Sequence, residues 1–296
     1  NPKSAGVRPA VPMGDRFKAL ANTWPVLVIF FVVVGGIYLG WFTPTEGAAV
    51  GAAGTGLAAL LAGSLSWAVL RERLMGTAKT TGMIFFIVLG AGFYNGFLAL
   101  SGVPQFMADW VVGQGYSPWF VLVVILVFYL IFGCLMDSLS MILLTIPIFW
   151  PIMLEMDFNF ITLAELHAYK AEQAFAKGVE LAPGMLASIE HSLAEGMELT
   201  REQIKALELR GVTKGALNRL NTEQVAIWFG ILVLIVVEVG LITPPVGMNL
   251  FIINAMDKDT PMIETYKAVL YFVASDLARV VLLLMFPVIT LVFIPW

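Results

Sequence analysis

Long apolar runs recur along this chain, and they restrict its fold more than any other feature. Runs of about 20 apolar residues are long enough to cross the hydrocarbon of a bilayer as helices. Hydrophobic residues make up 59% of the chain and charged residues only 13%, whereas about a quarter of the residues in a typical soluble domain are charged. The sequence therefore predicts an all-α polytopic membrane protein in a lipid bilayer. The net charge of −4 is too small to favour a nucleic-acid partner.

The apolar runs also predict where the chain crosses the bilayer. Spans are predicted at residues 24–41, 45–70, 82–100, 222–240, 246–256 and 266–294. A further apolar run, 119–154, would form a single helix about 54 Å long, but GCLMDSLS interrupts it. We therefore expect this run to form two short arms of a re-entrant hairpin, with its tip near Asp137. Residues 24–156 would then form one membrane region that follows a polar segment, 1–23.

The distribution of Lys and Arg predicts the orientation of the spans. Basic residues precede the first span and follow the second, at Lys3, Arg8, Arg16, Lys18, Arg71, Arg73 and Lys79. The loops at 43–47 and 101–118 have none. Since basic loops remain on the cytoplasmic side, segment 1–23 is predicted to be cytoplasmic and the two loops without basic residues are predicted to face outward.

Residues 157–221 differ in composition from the rest of the chain. They carry many charged residues and both histidines, His167 and His191. Thr200 is followed by Gln203 and later by Gly211, a pattern that predicts a capped helix of about ten residues. We expect a soluble helical insert on the periplasmic side, before a last membrane region at 222–296. A solvated excursion without chemistry and a docking surface for a soluble partner both fit this composition.

The segment GLITPPVGMNL, 240–250, interrupts an apolar span with two consecutive prolines. Pro244 and Pro245 have no N–H groups, so carbonyls in the preceding turn lose their partners. In lipid such carbonyls are tolerated only where protein, water or an ion satisfies them. Together with the hydroxyl of Thr243, they are oxygen ligands that suit an alkali cation, and the helix that restarts presents its positive end to an anion. A simple proline kink is the alternative.

Asp137 is a carboxylate within an apolar run, which is a functional hypothesis by default. Ser138 and Ser140 lie beside it and add further oxygens. Asp137 would also serve as the N-cap of the second hairpin arm, and both roles are compatible. An enzyme is not expected, because no histidine falls in a predicted span and Cys134 has no evident catalytic partner.

Four motifs resemble the large membrane subunit of tripartite ATP-independent periplasmic (TRAP) transporters: GIYLGWFTPTEGAAVGA, GCLMDSLSMILLTIPIFWPI, GLITPPVGMNLFII and VASDLARVVLLLMFP. The resemblance implies one inverted repeat of an elevator-type, ion-coupled transporter, with a re-entrant hairpin and a broken helix. It implies a multi-pass protein of the bacterial inner membrane that imports organic acids such as C4-dicarboxylates with Na⁺. The implied partners are a periplasmic solute-binding protein and a small membrane (Q) subunit.

The same resemblance implies which residues bind the ion and the substrate. No covalent cofactor is expected, and Na⁺ is the coupling ion. The implied sodium ligands are Asp137, Ser138 through its carbonyl, Gly240, Thr243 and Val246. The implied substrate contacts are Ser138, Ser140 and Asn249.

The chain departs from the family pattern in one respect, since a first repeat with its own hairpin and Pro-Pro bend is absent. We therefore expect a piece of a longer product, its C-terminal half, with 157–221 as an extra insert; two halves on separate polypeptides are the alternative. A structural role in a complex and a passive anion channel remain as alternatives. Asp276 and Arg279 are three residues apart, which favours an ion pair, although Arg279 could instead bind a substrate carboxylate. No role is assigned to Glu46 or Glu238.

Overall fold

The structure is a computed structural model, which describes residues 12–15, 23–179, 181–256 and 261–292. Most of the predicted cytoplasmic segment 1–23 lies outside these residues. No strand occurs in the described ranges. The helices are α1 Trp24–Tyr38, α2 Pro44–Leu61, α3 Trp67–Ser101, α4 Val103–Gly113, α5 Pro118–Gly133, α6 Ser138–Glu155, α7 Leu163–Ala176, α8 Pro183–Ala194, α9 Arg201–Ala206, α10 Lys214–Ile242, α11 Met248–Met256, α12 Met262–Met285 and α13 Val288–Leu291.

Four of the described helices, α3, α6, α10 and α12, are long and apolar enough to cross a membrane. Helices α1 and α5 are apolar but shorter. The prediction of an all-α polytopic membrane fold is confirmed. The chain divides into two compact units, Asn1–Phe85 and Phe86–Trp296.

In the first unit, α1 packs along α2. The predicted span 45–70 is wrong at its end, because α2 stops at Leu61 and Leu70 already belongs to α3. Gly63 adopts a left-handed φ of 68°, which ends the helix. The hydroxyl of Ser66 then accepts the N–H of Val69 at 3.3 Å and starts α3.

Helix α3 begins before the apolar window that predicted it. Arg71, Arg73 and Lys79, which were expected in a loop, lie within its first turns. Leu, Arg, Glu, Met, Ala and Lys all have high helix propensity, so this charged segment extends the helix beyond its apolar part. The orientation that these residues suggest stays a prediction.

The predicted outward loop 101–118 is also largely helical. Gly102 has a positive φ of 67° and Pro104 occupies an early position of α4, where its missing N–H costs no helix hydrogen bond. Ala108 is buried, and α4 packs against α6. The expectation of a simple loop is wrong because the apolar face of this segment packs against the hairpin.

The run 119–154 folds back on itself as two helices, α5 and α6. The hydroxyls of Tyr129 and Thr145, eight residues before and after Asp137, are hydrogen-bonded at 2.8 Å. The rings of Phe128 and Phe149 lie 5.1 Å apart. The two arms are therefore antiparallel, and residues 134–137 form the turn between them.

Helix α10 is the central helix of the second unit. Its most apolar window is 56% buried, against 11–17% for α3, α6 and α12. It packs against α5, α6 and α12. Trp228 in α10 is fully buried, and its indole N–H donates to the Leu283 carbonyl at 2.9 Å.

The last predicted span, 266–294, is shorter than expected, since α12 ends at Met285. Pro287 cannot donate the next helical hydrogen bond, and the short helix α13 follows it. The described chain ends at residue 292.

The insert contains α7, α8 and α9, which enclose a small core of Ala171, Ala174, Ile189, Leu199 and Leu207. Helix α10 begins at Lys214, before the predicted end of the insert at 221, and its first two turns are polar. The capping box of Thr200 and Gln203 is confirmed. The helix that follows has six residues rather than about ten, because Glu208 adopts a positive φ of 52° after it.

Polar side chains inside the insert serve its structure. The buried ring of His167 accepts the N–H of Leu199 at 3.0 Å, and its other nitrogen lies 3.4 Å from the Val212 carbonyl. Asn221 exchanges two hydrogen bonds of 3.0 Å with the backbone of Ile161. The Asn221 bonds tie the start of the insert to α10, whereas the His167 bonds lie within the insert.

Candidate functional site

Two glycines bring the hairpin and the broken helix into contact. Gly133 is the last residue of α5, and Gly240 lies in the last turn of α10. A Cβ atom at Gly240 would lie 2.7 Å from the Cα of Gly133, and one at Gly133 would lie 3.1 Å from the Cα of Gly240. Any larger residue at Gly240 would push the two backbones apart. The hairpin turn and the Pro-Pro bend lie more than 100 positions apart in sequence. Each comes directly after the point where α5 and α10 cross.

At the hairpin turn, Asp137 is the N-cap of α6. Its Oδ2 atom accepts the N–H of Ser140 at 2.9 Å, so the capping role is present. Asp137 is exposed, and Ser138 and Ser140 are half-buried. The turn thus retains carboxylate and hydroxyl oxygens for a ligand.

At the bend, α10 ends with two hydrogen bonds from Thr243. Its N–H donates to the Gly240 carbonyl at 2.9 Å, and its hydroxyl donates to the Val239 carbonyl at 2.6 Å. The hydroxyl oxygen keeps its lone pairs for a cation. The Pro244–Pro245 peptide is cis, and Gly247 has a φ of 57° before α11 begins.

The Leu241 carbonyl of this bend is left without a donor among the described residues. The Leu241 carbonyl would bind the N–H of residue 245 in a regular helix, but Pro245 has none. No other donor among the described residues reaches the Leu241 carbonyl. The Pro245 carbonyl, by contrast, accepts the hydroxyl of Tyr266 at 2.9 Å. In a bilayer a carbonyl such as that of Leu241 is tolerated only where protein, water or an ion satisfies it.

The remaining predicted residues lie on or near the restarted helix. Val246 is half-buried in the bend, and Asn249 is half-buried in the first turn of α11. Sequence reasoning missed Asn254 on the same helix, whose Oδ1 atom is buried without a hydrogen-bond partner. It also missed Gly133, although that glycine directly precedes the turn containing Asp137.

Other charged residues have local explanations. Asp276 and Arg279 form an ion pair at 2.8 Å, so that prediction is confirmed. Glu46 accepts the N–H and hydroxyl of Thr43 at 2.8 and 2.9 Å in a capping box. Glu238 is exposed on α10. Within the described ranges no three His, Cys, Asp or Glu side chains gather as a metal site, so a cation at the bend would depend on carbonyl and hydroxyl oxygens.

Comparison with known proteins gives a family for this chain. Residues 4–289 match the family model of the tripartite ATP-independent periplasmic transporter, DctM component. The chain is 27% identical over 293 residues to a C4-dicarboxylate TRAP transporter large permease protein DctM of Pseudomonas aeruginosa, covering 97% of this chain and 53% of that protein. It is 24% identical over 278 residues to the protein of the same name from Rhodobacter capsulatus, covering 94% and 48%.

A third relative has a different named cargo. Over 149 residues the chain is 30% identical to a sialic acid TRAP transporter large permease protein of Vibrio cholerae, covering 49% of this chain and 34% of that protein. The chain spans about half the length of the first two relatives. No solved structure matches. With its apolar spanning helices and this match, the chain is a multi-pass membrane protein, not an enzyme, and it belongs to the DctM component family of tripartite ATP-independent periplasmic transporters.

Proposed function

We propose that this chain forms part of a permease that imports organic acids such as C4-dicarboxylates across a bacterial inner membrane, coupled to Na⁺. The names of the relatives support the substrate class, since C4-dicarboxylates and sialic acid are all carboxylic acids. A periplasmic solute-binding protein and a small membrane (Q) subunit complete the proposed complex.

The observation that carries the proposal is the uncovered Leu241 carbonyl beside Thr243, in a bend that touches the hairpin through Gly133 and Gly240. Backbone carbonyls of unwound membrane helices are known ligands for coupling ions. The carbonyls of the bend, the Thr243 hydroxyl and the turn at Asp137 would supply oxygens to Na⁺.

The proposed anion site is formed by the two helices that begin after the hairpin turn and after the Pro-Pro bend. Helices α6 and α11 both begin here, and helix N-termini favour negative charge. Ser138, Ser140 and Asn249 carry hydrogen-bond donors in their first turns. We expect these donors to bind the carboxylate of the substrate while Na⁺ compensates its charge. Ion and substrate would then bind together, and the hairpin and bend would carry them as one unit in an elevator mechanism.

Uptake of labelled succinate into proteoliposomes tests the proposal. The vesicles would hold the full-length large subunit, its small subunit and the cognate binding protein, with and without an inward Na⁺ gradient. Thr243→Val and Asp137→Asn should each lower Na⁺-driven uptake about tenfold or more, because the first removes an oxygen ligand of the ion and the second removes the negative charge that balances it.

Two matched variants control for general damage. Thr290→Val removes a hydroxyl that also donates to a backbone carbonyl, that of Pro287 at 2.8 Å, but lies outside the bend. Asp109→Asn neutralises an exposed carboxylate on α4. Both should transport normally. If uptake does not change with the Na⁺ gradient or with either site variant, the proposed coupling is refuted. If uptake depends only on the succinate gradient, the protein acts as a passive channel.

A further inference from the structure

The soluble insert carries a basic cleft that the proposed transport site does not use. It has a volume of about 400 Å³ and lies where the C-terminal ends of α7 and α9 meet. Among the described residues, three cations line it, Lys170, Lys177 and Arg210, against one carboxylate, Glu208. This volume falls within the range of small-molecule sites.

The walls of the cleft are held in place by the core of the insert. Ala174 and Leu207 form part of its floor and are 7% and 1% exposed. Beyond α7, the N–H of Val179 bonds to the Ala174 carbonyl at 3.4 Å. Beyond α9, the N–H of Leu209 bonds to the Ile204 carbonyl at 3.0 Å. The backbone on both sides is therefore formed before any ligand arrives.

The charges in the cleft are not balanced by the described protein. The ion pairs found within the described residues are Arg219 with Glu223 and Asp276 with Arg279, both elsewhere in the chain. No described carboxylate is therefore paired with Lys170, Lys177 or Arg210 within 4.0 Å. Cations gathered around one concave surface repel each other, and an anion bound between them relieves that repulsion.

The helix dipole accounts for only one of the three cations. Basic residues near a helix C-terminus interact favourably with the helix dipole, but the effect is confined to the last turn. Lys177 directly follows α7, whereas Lys170 lies seven residues earlier and is half-buried. Arg210 lies four residues beyond α9, a helix of only six residues. The Lys170 ammonium lies 5.4 Å from the centre of the Tyr169 ring, whereas neither the helix dipole nor an ion pair among the described residues accounts for Arg210.

We propose that this cleft binds a small organic anion with two carboxylates. The guanidinium of Arg210 can hold one carboxylate with two parallel hydrogen bonds. The ammonium groups of Lys170 and Lys177 then face the other carboxylate as point charges. The amide of Gln173, which also lines the cleft, adds a donor. This site lies outside the spanning helices and does not depend on Na⁺ coupling or on transport.

Hydrogen–deuterium exchange of the full-length protein in lipid nanodiscs tests the site directly. Succinate is the probe, and the neutral diamide succinamide is its control. Succinate should slow exchange at the backbone amides of residues 177–179 and 207–210, while succinamide should leave them unchanged. Because the measurement is resolved along the chain, binding at the hairpin or the Pro-Pro bend cannot be mistaken for binding in the cleft.

The double variant Lys177→Gln and Arg210→Gln should abolish this protection and raise the dissociation constant of the cleft about tenfold or more. Both side chains are exposed, so the fold should survive, and an unchanged thermal unfolding midpoint would verify this. Lys205→Gln removes an exposed lysine of α9 that does not line the cleft and should leave the protection intact.

Three outcomes would overturn the proposal. They are an absence of protection at millimolar succinate, protection that persists in the double variant, and equal protection by succinamide. The proposed transport function stands or falls separately, because its test measures Na⁺-driven uptake and its variants lie at Asp137 and Thr243.

Discussion

Prolines interrupt helices of this protein in two different ways. At Pro287, the carbonyl freed four residues earlier accepts the indole N–H of Trp228 at 2.9 Å. At Pro147 in α6, the freed carbonyl of Leu143 accepts the amide of Asn95 at 3.3 Å. In both helices, a side chain from a different element replaces the hydrogen bond that the proline cannot make.

The Pro244–Pro245 bend is different, because its hydrogen bonds are mostly local. Thr243 covers the carbonyls of Val239 and Gly240, but no described donor covers that of Leu241. A proline in a membrane helix therefore does not by itself indicate a binding site. At Pro287 and Pro147 the protein covers the freed carbonyl, whereas at the bend the Leu241 carbonyl has no described donor.

The largest expected effect is at the glycine crossing that joins this bend to the hairpin. Gly240→Leu should destabilise the protein by about 3 kcal/mol or more, since the new side chain meets backbone atoms that cannot move aside. Thermal unfolding in detergent would measure the loss. Gly230→Ala in the same helix, where a Cβ meets nothing within 4 Å, should be nearly neutral. Equal losses would show that the crossing is not tight.

The next largest loss of stability is expected at Pro287, where the indole of Trp228 covers the freed Leu283 carbonyl. Trp228→Phe keeps an aromatic ring but leaves the Leu283 carbonyl buried without a donor, which should cost about 1–3 kcal/mol. Trp119→Phe is the matched control, because Trp119 belongs to the same aromatic cluster, with its ring 5.5 Å from that of Trp228, but makes no such bond. If both variants lose the same stability in thermal unfolding, the carbonyl needs no donor.

The Pro244–Pro245 bend, where the Leu241 carbonyl has no described donor, should be stabilised by Na⁺. Na⁺ should raise the thermal unfolding midpoint of the wild type relative to choline, since a ligand that binds only the folded state stabilises it. Thr243→Val should lose this Na⁺ effect while losing only about 1 kcal/mol of intrinsic stability. Thr290→Val should keep the Na⁺ effect. A wild-type midpoint that is the same in both cations would remove the distinction between the two kinds of break.

The smallest effect is expected at Asn95. Its Nδ2 atom covers the Leu143 carbonyl, but its Oδ1 atom is buried without a partner. Asn95→Leu leaves the Leu143 carbonyl without a donor but also removes the unpaired Oδ1 atom. We therefore expect the free energy of unfolding to fall by less than about 1 kcal/mol. The thermal unfolding midpoints of Asn95→Leu and Trp228→Phe would be measured side by side and compared. A loss as large as that of Trp228→Phe would show that the long Asn95 bond matters more than its geometry suggests.

Sequence reasoning reached the membrane fold, the turn near Asp137 and the break at the prolines, because each depends on local chemistry. It placed several helix ends incorrectly, at Leu61, Ala206 and Lys214. Apolar windows show only which part of a helix is hydrophobic, while polar turns such as those after Lys214 extend the helix without such a signal. The segment of α4 was missed because its helix depends on packing against the hairpin.

The sequence by itself determined that the chain crosses a membrane, that it breaks at Pro244 and Pro245, and that Asp137 can cap a helix. These properties follow from hydrophobicity, from missing N–H groups and from contacts within a few residues. Only the tertiary structure decided which freed carbonyls are covered, because Trp228 and Leu283 are 55 positions apart. It likewise decided that Gly133 meets Gly240, since that crossing depends on how two separate helices pack.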